Sequence, residues 1–216
     1  MAESISSITS GPRKTNIELL RILAMFLVLV VHADFWSLGA PSLQDIKENF
    51  LPSCTRIFIE SISIVCVNTF IFISGWFKIH PTLKGFANFI FQCAYFLFGI
   101  YAVLVCTGHA DLSIKGIAGC LCLTPVNWFI KAYIGLYILA PVLNFFVENS
   151  SKKQLGLLLI SFYTFQTIYG LSGAAKFIDH GYSTFSFIGL YLLAQYVKLY
   201  VSVGYKWGGD YSSSQR

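Results

Sequence analysis

Charge is what this sequence has least of. Only 12% of its 216 residues are Asp, Glu, Lys or Arg, about half the share in ordinary globular domains. That shortage excludes a conventional hydrated surface, and the net charge of +5 follows membrane topology and points to no nucleic-acid partner. Metal-ligand spacing is missing too. Cys66, Cys93 and Cys106 lie inside apolar runs, where cysteine behaves as a small buried hydrophobe. Cys120 and Cys122 form a CxC with no second Cys or His cluster to complete a zinc site or a disulfide framework. There is no alternating strand pattern, soluble domain or internal repeat. In their place stand 56% hydrophobic residues, with 20 Phe and 12 Tyr that suit lipid-facing and interfacial positions.

Apolar runs of membrane-crossing length recur along the whole chain. They predict an all-α fold, a polytopic transmembrane helical bundle of about six spans. The spans are Ile17–Trp36, Ile57–Phe77, Phe86–Cys106, Val126–Val147, Leu155–Leu171 and Phe185–Val203, the fifth being short and rich in Thr, Gln and Tyr. Leu112–Leu123 is too short to cross at about 1.5 Å per residue and reads as an interfacial or re-entrant piece. Residues 1–16 form an N-terminal segment, 17–203 the membrane domain and 204–216 a polar tail.

Orientation follows the basic residues. With the N-terminus in the cytoplasm, the inner segments hold eight (Arg13, Lys14, Lys78, Lys84, Lys152, Lys153, Lys206, Arg216) and the outer loops four (Lys47, Arg56, Lys115, Lys176). The first span begins like a signal peptide, but Arg21 interrupts it and no small-residue cleavage site follows, so it is expected to remain as a helix.

That span, "NIELLRILAMFLVLVVHADFW", carries Arg21 and His32 eleven residues apart. Eleven steps of about 100° return to within about 20° of the start, so both side chains leave one stripe of the helix, toward one shared interior. Glu18 is placed to pair with Arg21 across a turn. A charge at bilayer depth is costly (about 2.5–3.5 kcal/mol by insertion) and faces a cavity or a partner. Toward the outer side, Glu60 either pairs locally with Arg56 or joins His32, Lys131 and His180 around a polar chamber. At the inner edge, "FISGWFKIHPTLKGF" offers Lys78, His80 and Lys84 in a short loop, with Gly75 for close helix approach and Pro81 for the turn. These cations, with Arg21, suit a phosphate-rich ligand or are ordinary positive-inside charge.

Three stretches together resemble the integral-membrane acyltransferase 3 family, the O-acetyltransferases of surface polysaccharides and related acceptors. They are "NIELLRILAMFLVLVVH" with its Arg-x10-His, "NTFIFISGWF" with its Ser-Gly-aromatic end, and "NWFIKAYIGLYILAPVLN". The resemblance runs from about Asn16 to Tyr200. It implies acyl transfer, usually acetyl, from acetyl-CoA on the cytoplasmic side to a hydroxyl of a glycan or lipid-linked sugar, with no metal. His32 matches the family's catalytic base, Arg21 an arginine needed for activity, and Lys78 and Lys84 fall where donor-binding basic residues lie. Glu60, Lys131 and His180 are then candidates for the acceptor side. The implied setting is a bacterial inner membrane. Family members commonly have more spans than this chain, so the sequence reads as truncated, with a partner chain expected to complete the bundle. The alternatives are a transporter or flippase-like subunit and an inactive fragment.

Overall fold

A computed structural model describes residues 15–121, 127–173 and 181–201, which fall into two compact units divided between Ile73 and Ser74. Among the described residues every regular element is helical and there is no strand. The all-α helical bundle read from the apolar runs is therefore the fold.

In the first unit, α1 (Thr15–Val31) runs into a π-helical turn, His32–Trp36. The chain then leaves the helix at Gly39, whose φ of +76° lies in the left-handed region that glycine adopts without a Cβ penalty. A short helix, α2 (Leu43–Glu48), starts with a reciprocal capping box: Ser42 accepts from the Asp45 amide, and the Asp45 carboxylate accepts from the Ser42 amide. Next comes α3 (Phe50–Ser63), packed on α1 and α2. Pro52 fits its first turn, where no intrahelical amide donor is required. Ser61 and Ser63 turn their hydroxyls onto the carbonyls of Ile57 and Ile59, at 2.7 and 2.8 Å. Such back-bonding bends helices, and the chain breaks into a turn at Ile64–Val65 before α4 (Cys66–Phe77). The span expected from Ile57 is thus two helices end to end, beginning seven residues earlier at Phe50.

The second unit begins in the last turn of α4. It contains α5 (Leu83–Cys106), α6 (Ile114–Cys120), α7 (Trp128–Asn149), α8 (Lys152–Leu171) and α9 (Thr184–Tyr196), the last continued by a π turn to Val201. The non-crossing piece of the sequence is α6. Its core lies where α9 packs on α7 and α8, around Val147, Leu155, Leu159 and Leu192. Small residues bring the backbones close: a Cβ added at Gly75 would stand 2.8 Å from both the Ala194 Cβ and the Tyr191 carbonyl oxygen.

Among the described residues, five helical stretches are long and apolar enough to cross a membrane: Thr15–Trp36, Phe50–Phe77, Leu83–Cys106, Trp128–Asn149 and Thr184–Val201. The remaining expected span, Leu155–Leu171, does form as part of α8, but its Ser, Thr, Gln and Lys residues keep it out of that apolar set. The chain is an integral membrane protein, and most of its exposed side chains are apolar ones that water would not tolerate in such numbers.

Candidate active-site clusters

Two polar clusters interrupt the apolar helices, one in each unit. The first is built on α1. The helix stays regular to Val31 and takes π geometry only at His32. The eleven-residue interval that sets Arg21 and His32 on one stripe therefore survives. Arg21 Nη1 donates to Glu18 Oε1 at 2.9 Å, the pair expected across one turn. His32 Nδ1 lies 2.8 Å from the carbonyl oxygen of Val28. A carbonyl only accepts, so Nδ1 carries a proton, and in the neutral ring Nε2 keeps its lone pair. The imidazole also stacks along Trp36, ring centroids 6.4 Å apart and planes 20° from parallel. His32 is exposed and the Arg21 side chain is 41% exposed, so the described residues leave this stripe open instead of closing it into an interior.

Just past His32, Asp34 Oδ1 accepts from Arg56 Nε at 2.6 Å and forms an ion pair with Nη2, also at 2.6 Å, while Nη2 donates to the Gly39 carbonyl at 2.7 Å. This corrects the local Arg56–Glu60 pair: the π turn and the Gly39 exit deliver a carboxylate and a carbonyl to one guanidinium, a fork that a single in-helix partner cannot match. Glu60 is left with Oε2 buried and unpartnered, and its charged neighbour is the like charge of Asp34. Two turns on, Asn68 Oδ1 is in the same condition. Oxygens sealed from water without a donor are costly, and an arriving hydroxyl would relieve that cost.

The second cluster surrounds the turn between α4 and α5. Lys78 sits at φ +62°, the one described non-glycine residue in the left-handed region, and its Nζ bonds Glu148 Oε1 at 2.9 Å. Ile79 N–H donates to the Tyr191 hydroxyl at 2.9 Å. That hydroxyl donates to Asn144 Oδ1 at 2.7 Å, and Asn144 Nδ2 donates back to the Ile79 carbonyl at 2.8 Å. At the far end of the turn, Tyr137 accepts from Thr82 N–H at 3.0 Å and donates to the Thr82 carbonyl at 3.1 Å. Thr82 in turn caps α5 through Gly85 N–H. The last carbonyls of α4 are also satisfied: Gln195 donates to Gly75 O and Lys198 to Trp76 O, both at 2.7 Å.

The sequence-predicted residues divide between the units. His32, Arg21 and Glu60 lie in the first; Lys78, Lys84 and Lys131 lie in the second. Lys84 and His80 are exposed beside the turn. Lys131 is exposed in the first turn of α7, shallower than a span starting at Val126 implies. His180 and Cys122 fall outside the described residues. Among those described, no group of three or more His, Cys, Asp or Glu is placed to hold a metal ion. The groove along α5, lined by Tyr95, Phe96, Gly99, Ile100, Val103 and Leu104, offers only apolar contact. Sequence reasoning missed Asp34 as the partner of Arg56. It missed the set around Tyr191 and Asn144 as well, although an Asn and a Gln inside apolar spans were visible signals.

A family model described as an acyltransferase domain matches residues 14–208. No curated protein and no solved structure matches the chain.

Proposed function

The chain belongs to the acyltransferase 3 family, and we propose that it is a membrane O-acyltransferase that moves an acetyl group from acetyl-CoA to a hydroxyl of a cell-surface glycan or its lipid-linked precursor. The observation that carries this reading is the His32 ring. Its Nδ1 proton is engaged by the Val28 carbonyl, which leaves Nε2 as the ring nitrogen with a lone pair to take a proton.

In the proposed reaction Nε2 takes the acceptor hydroxyl proton as the oxygen attacks the thioester carbonyl. The tetrahedral oxyanion then collapses, the carbon–sulfur bond breaks, and the CoA thiolate recovers the proton from the imidazolium. Arg21 lies about 16 Å down the same helix stripe from His32, too far to touch that oxyanion, and is assigned with the other inner cations to the donor side. Lys78 and Lys84 are assigned to the donor phosphates, with Lys78 exchanging Glu148 for a phosphate oxygen. Glu60, Lys131 and His180 are assigned to the acceptor. In this reading the N-terminus is cytoplasmic and the membrane is a bacterial inner membrane, so the donor arrives from the cytosol.

The test is acetyl transfer from labelled acetyl-CoA by the purified protein in lipid nanodiscs, with polysaccharide and lipid-linked sugar acceptors. A positioned general base contributes about 10²–10⁴ in rate, so His32→Ala should lower transfer at least about 100-fold with the thermal transition unchanged. Transfer that survives the substitution would sink this assignment.

A further inference from the structure

The turn Lys78–Thr82 is short and surface-lying, yet side chains from two other helices hold its peptide groups. Three hydrogen bonds close a ring around Ile79. The ring runs from the Ile79 amide to the Tyr191 hydroxyl, from that hydroxyl to Asn144 Oδ1, and from Asn144 Nδ2 back to the Ile79 carbonyl. Within the ring every donor has one acceptor, and the tyrosine hydroxyl accepts from Ile79 and donates to Asn144. Tyr191 is 0% exposed. Thr82 is gripped through both its amide and its carbonyl by Tyr137. Pro81 fixes its own φ between these two anchors.

Ile79 is buried, so its peptide groups need partners in any case. Here the partners are side chains of two other helices, which ties the turn to α7 and α9 and leaves it no second arrangement that satisfies every member. The network also holds Lys78 in a left-handed conformation, which a non-glycine residue keeps only where its surroundings over-determine it. Fixing a turn has a direct use when the turn carries cations for a multiply charged ligand. Each side chain or loop that must be ordered on binding subtracts from affinity.

We infer that Tyr191, Asn144 and Tyr137 are positioning residues for donor binding: they hold the Lys78–Thr82 turn so that Lys78, His80 and Lys84 meet the donor phosphates in one arrangement. This rests on the assignment of Lys78 and Lys84 to the donor. None of the three is catalytic, so their effect falls on donor affinity and not on the chemical step.

The experiment compares Tyr191→Phe and Tyr137→Phe with Tyr163→Phe, a control at a half-buried tyrosine whose buried hydroxyl has no hydrogen-bond partner. Each is measured for CoA binding, for the donor KM, acceptor KM and kcat of acetyl transfer, and for amide exchange across residues 78–82. Tyr191→Phe removes one hydroxyl and strands a buried donor and acceptor. CoA Kd and donor KM should rise about 10-fold, with kcat and acceptor KM within about 2-fold and exchange across the turn accelerated. Tyr137→Phe, less buried, should shift the same quantities less, and Tyr163→Phe should shift none. Faster exchange without weaker CoA binding would overturn the inference. So would a fall in kcat at unchanged donor KM, or an equal loss from Tyr163→Phe. If the unaltered protein binds CoA but transfers no acetyl group, the acyl-transfer reading falls and the binding arm still decides this one. If it binds no CoA, both fall.

Discussion

At the end of α1, what orients His32 is its own helix: Val28 four residues before it and Trp36 four residues after. Around the Lys78–Thr82 turn, the side chains that hold the peptide groups lie 55, 65 and 112 residues away in sequence. The first arrangement needs little more than a formed helix. The second needs α7 and α9 packed in register against the end of α4. A base has to present one nitrogen, and a local hydrogen bond suffices to choose it. An array of cations has to keep distances between several groups, and only tertiary packing sets those.

The contrast breaks most sharply at Gly75. A Cβ there meets the Tyr191 backbone and Ala194 at 2.8 Å, and backbone atoms do not swing aside. Gly75→Val should destabilise the second unit by about 3 kcal/mol and accelerate amide exchange across residues 78–82, while exchange around His32 stays as it was. Gly99→Ala on α5, where an added Cβ meets nothing within 4 Å, should be neutral or stabilising by about 0.5–1 kcal/mol. Thermal unfolding in detergent compares the two. Equal losses would mean that close packing at α9 is not what holds the turn.

A smaller effect is expected at Arg56. Its ion pair with Asp34 ties the π turn to α3, with side chains 30% and 17% exposed. Arg56→Met should cost about 1–2 kcal/mol, the lower part of the range for hydrogen bonds to charged groups because water still reaches the pair. The change should appear as faster exchange across residues 34–39, and the Lys78–Thr82 turn should not respond.

The smallest effect concerns Asp45. Hydrogen bonds from the Ser42 hydroxyl and amide hold its carboxyl below the usual carboxylate range, with Arg56 adding a lesser pull. A depressed folded pKa means that the cap contributes above the unfolded value and is lost as pH falls through the folded one. Amide protection in Leu43–Glu48 should therefore be present at neutral pH and fall away in acid below the ordinary carboxylate range. Asp45→Asn should lose that acid dependence, and a titration that does not change would refute the cap.

Much of the helical plan was legible, and the reasons are local. Leu83–Cys106 and Trp128–Asn149 begin and end within a few residues of their apolar runs because length and hydropathy decide them. The start of α3 was hidden by Pro52, Ser53, Thr55 and Arg56, which break the apolar run; the helix accommodates them because Pro52 lies in its first turn and Thr55 bonds back to the Leu51 carbonyl. The break at Ile64–Val65 carries no Gly or Pro and follows from serine hydroxyls acting on carbonyls, which periodicity does not register. His32 and Arg21 stood out because a titratable ring and a cation are conspicuous among apolar residues. Tyr191 did not: aromatic residues in apolar spans suit lipid interfaces equally well, and only tertiary structure shows that its hydroxyl closes a ring on Ile79. The Asp34–Arg56 pair was hidden for the same reason, since its separation of 22 residues gives no helical phase to read.

The distance in sequence between Ile79 and Tyr191 also has a consequence for biosynthesis. A ribosome adding about 5–20 residues per second needs about 6–22 s to make the 112 residues that separate them. Throughout that interval the turn after α4 exists without the hydroxyl that will later close on it. Damage to α9 therefore changes nothing in that interval and acts only afterwards, when the completed chain is left with the turn unfastened.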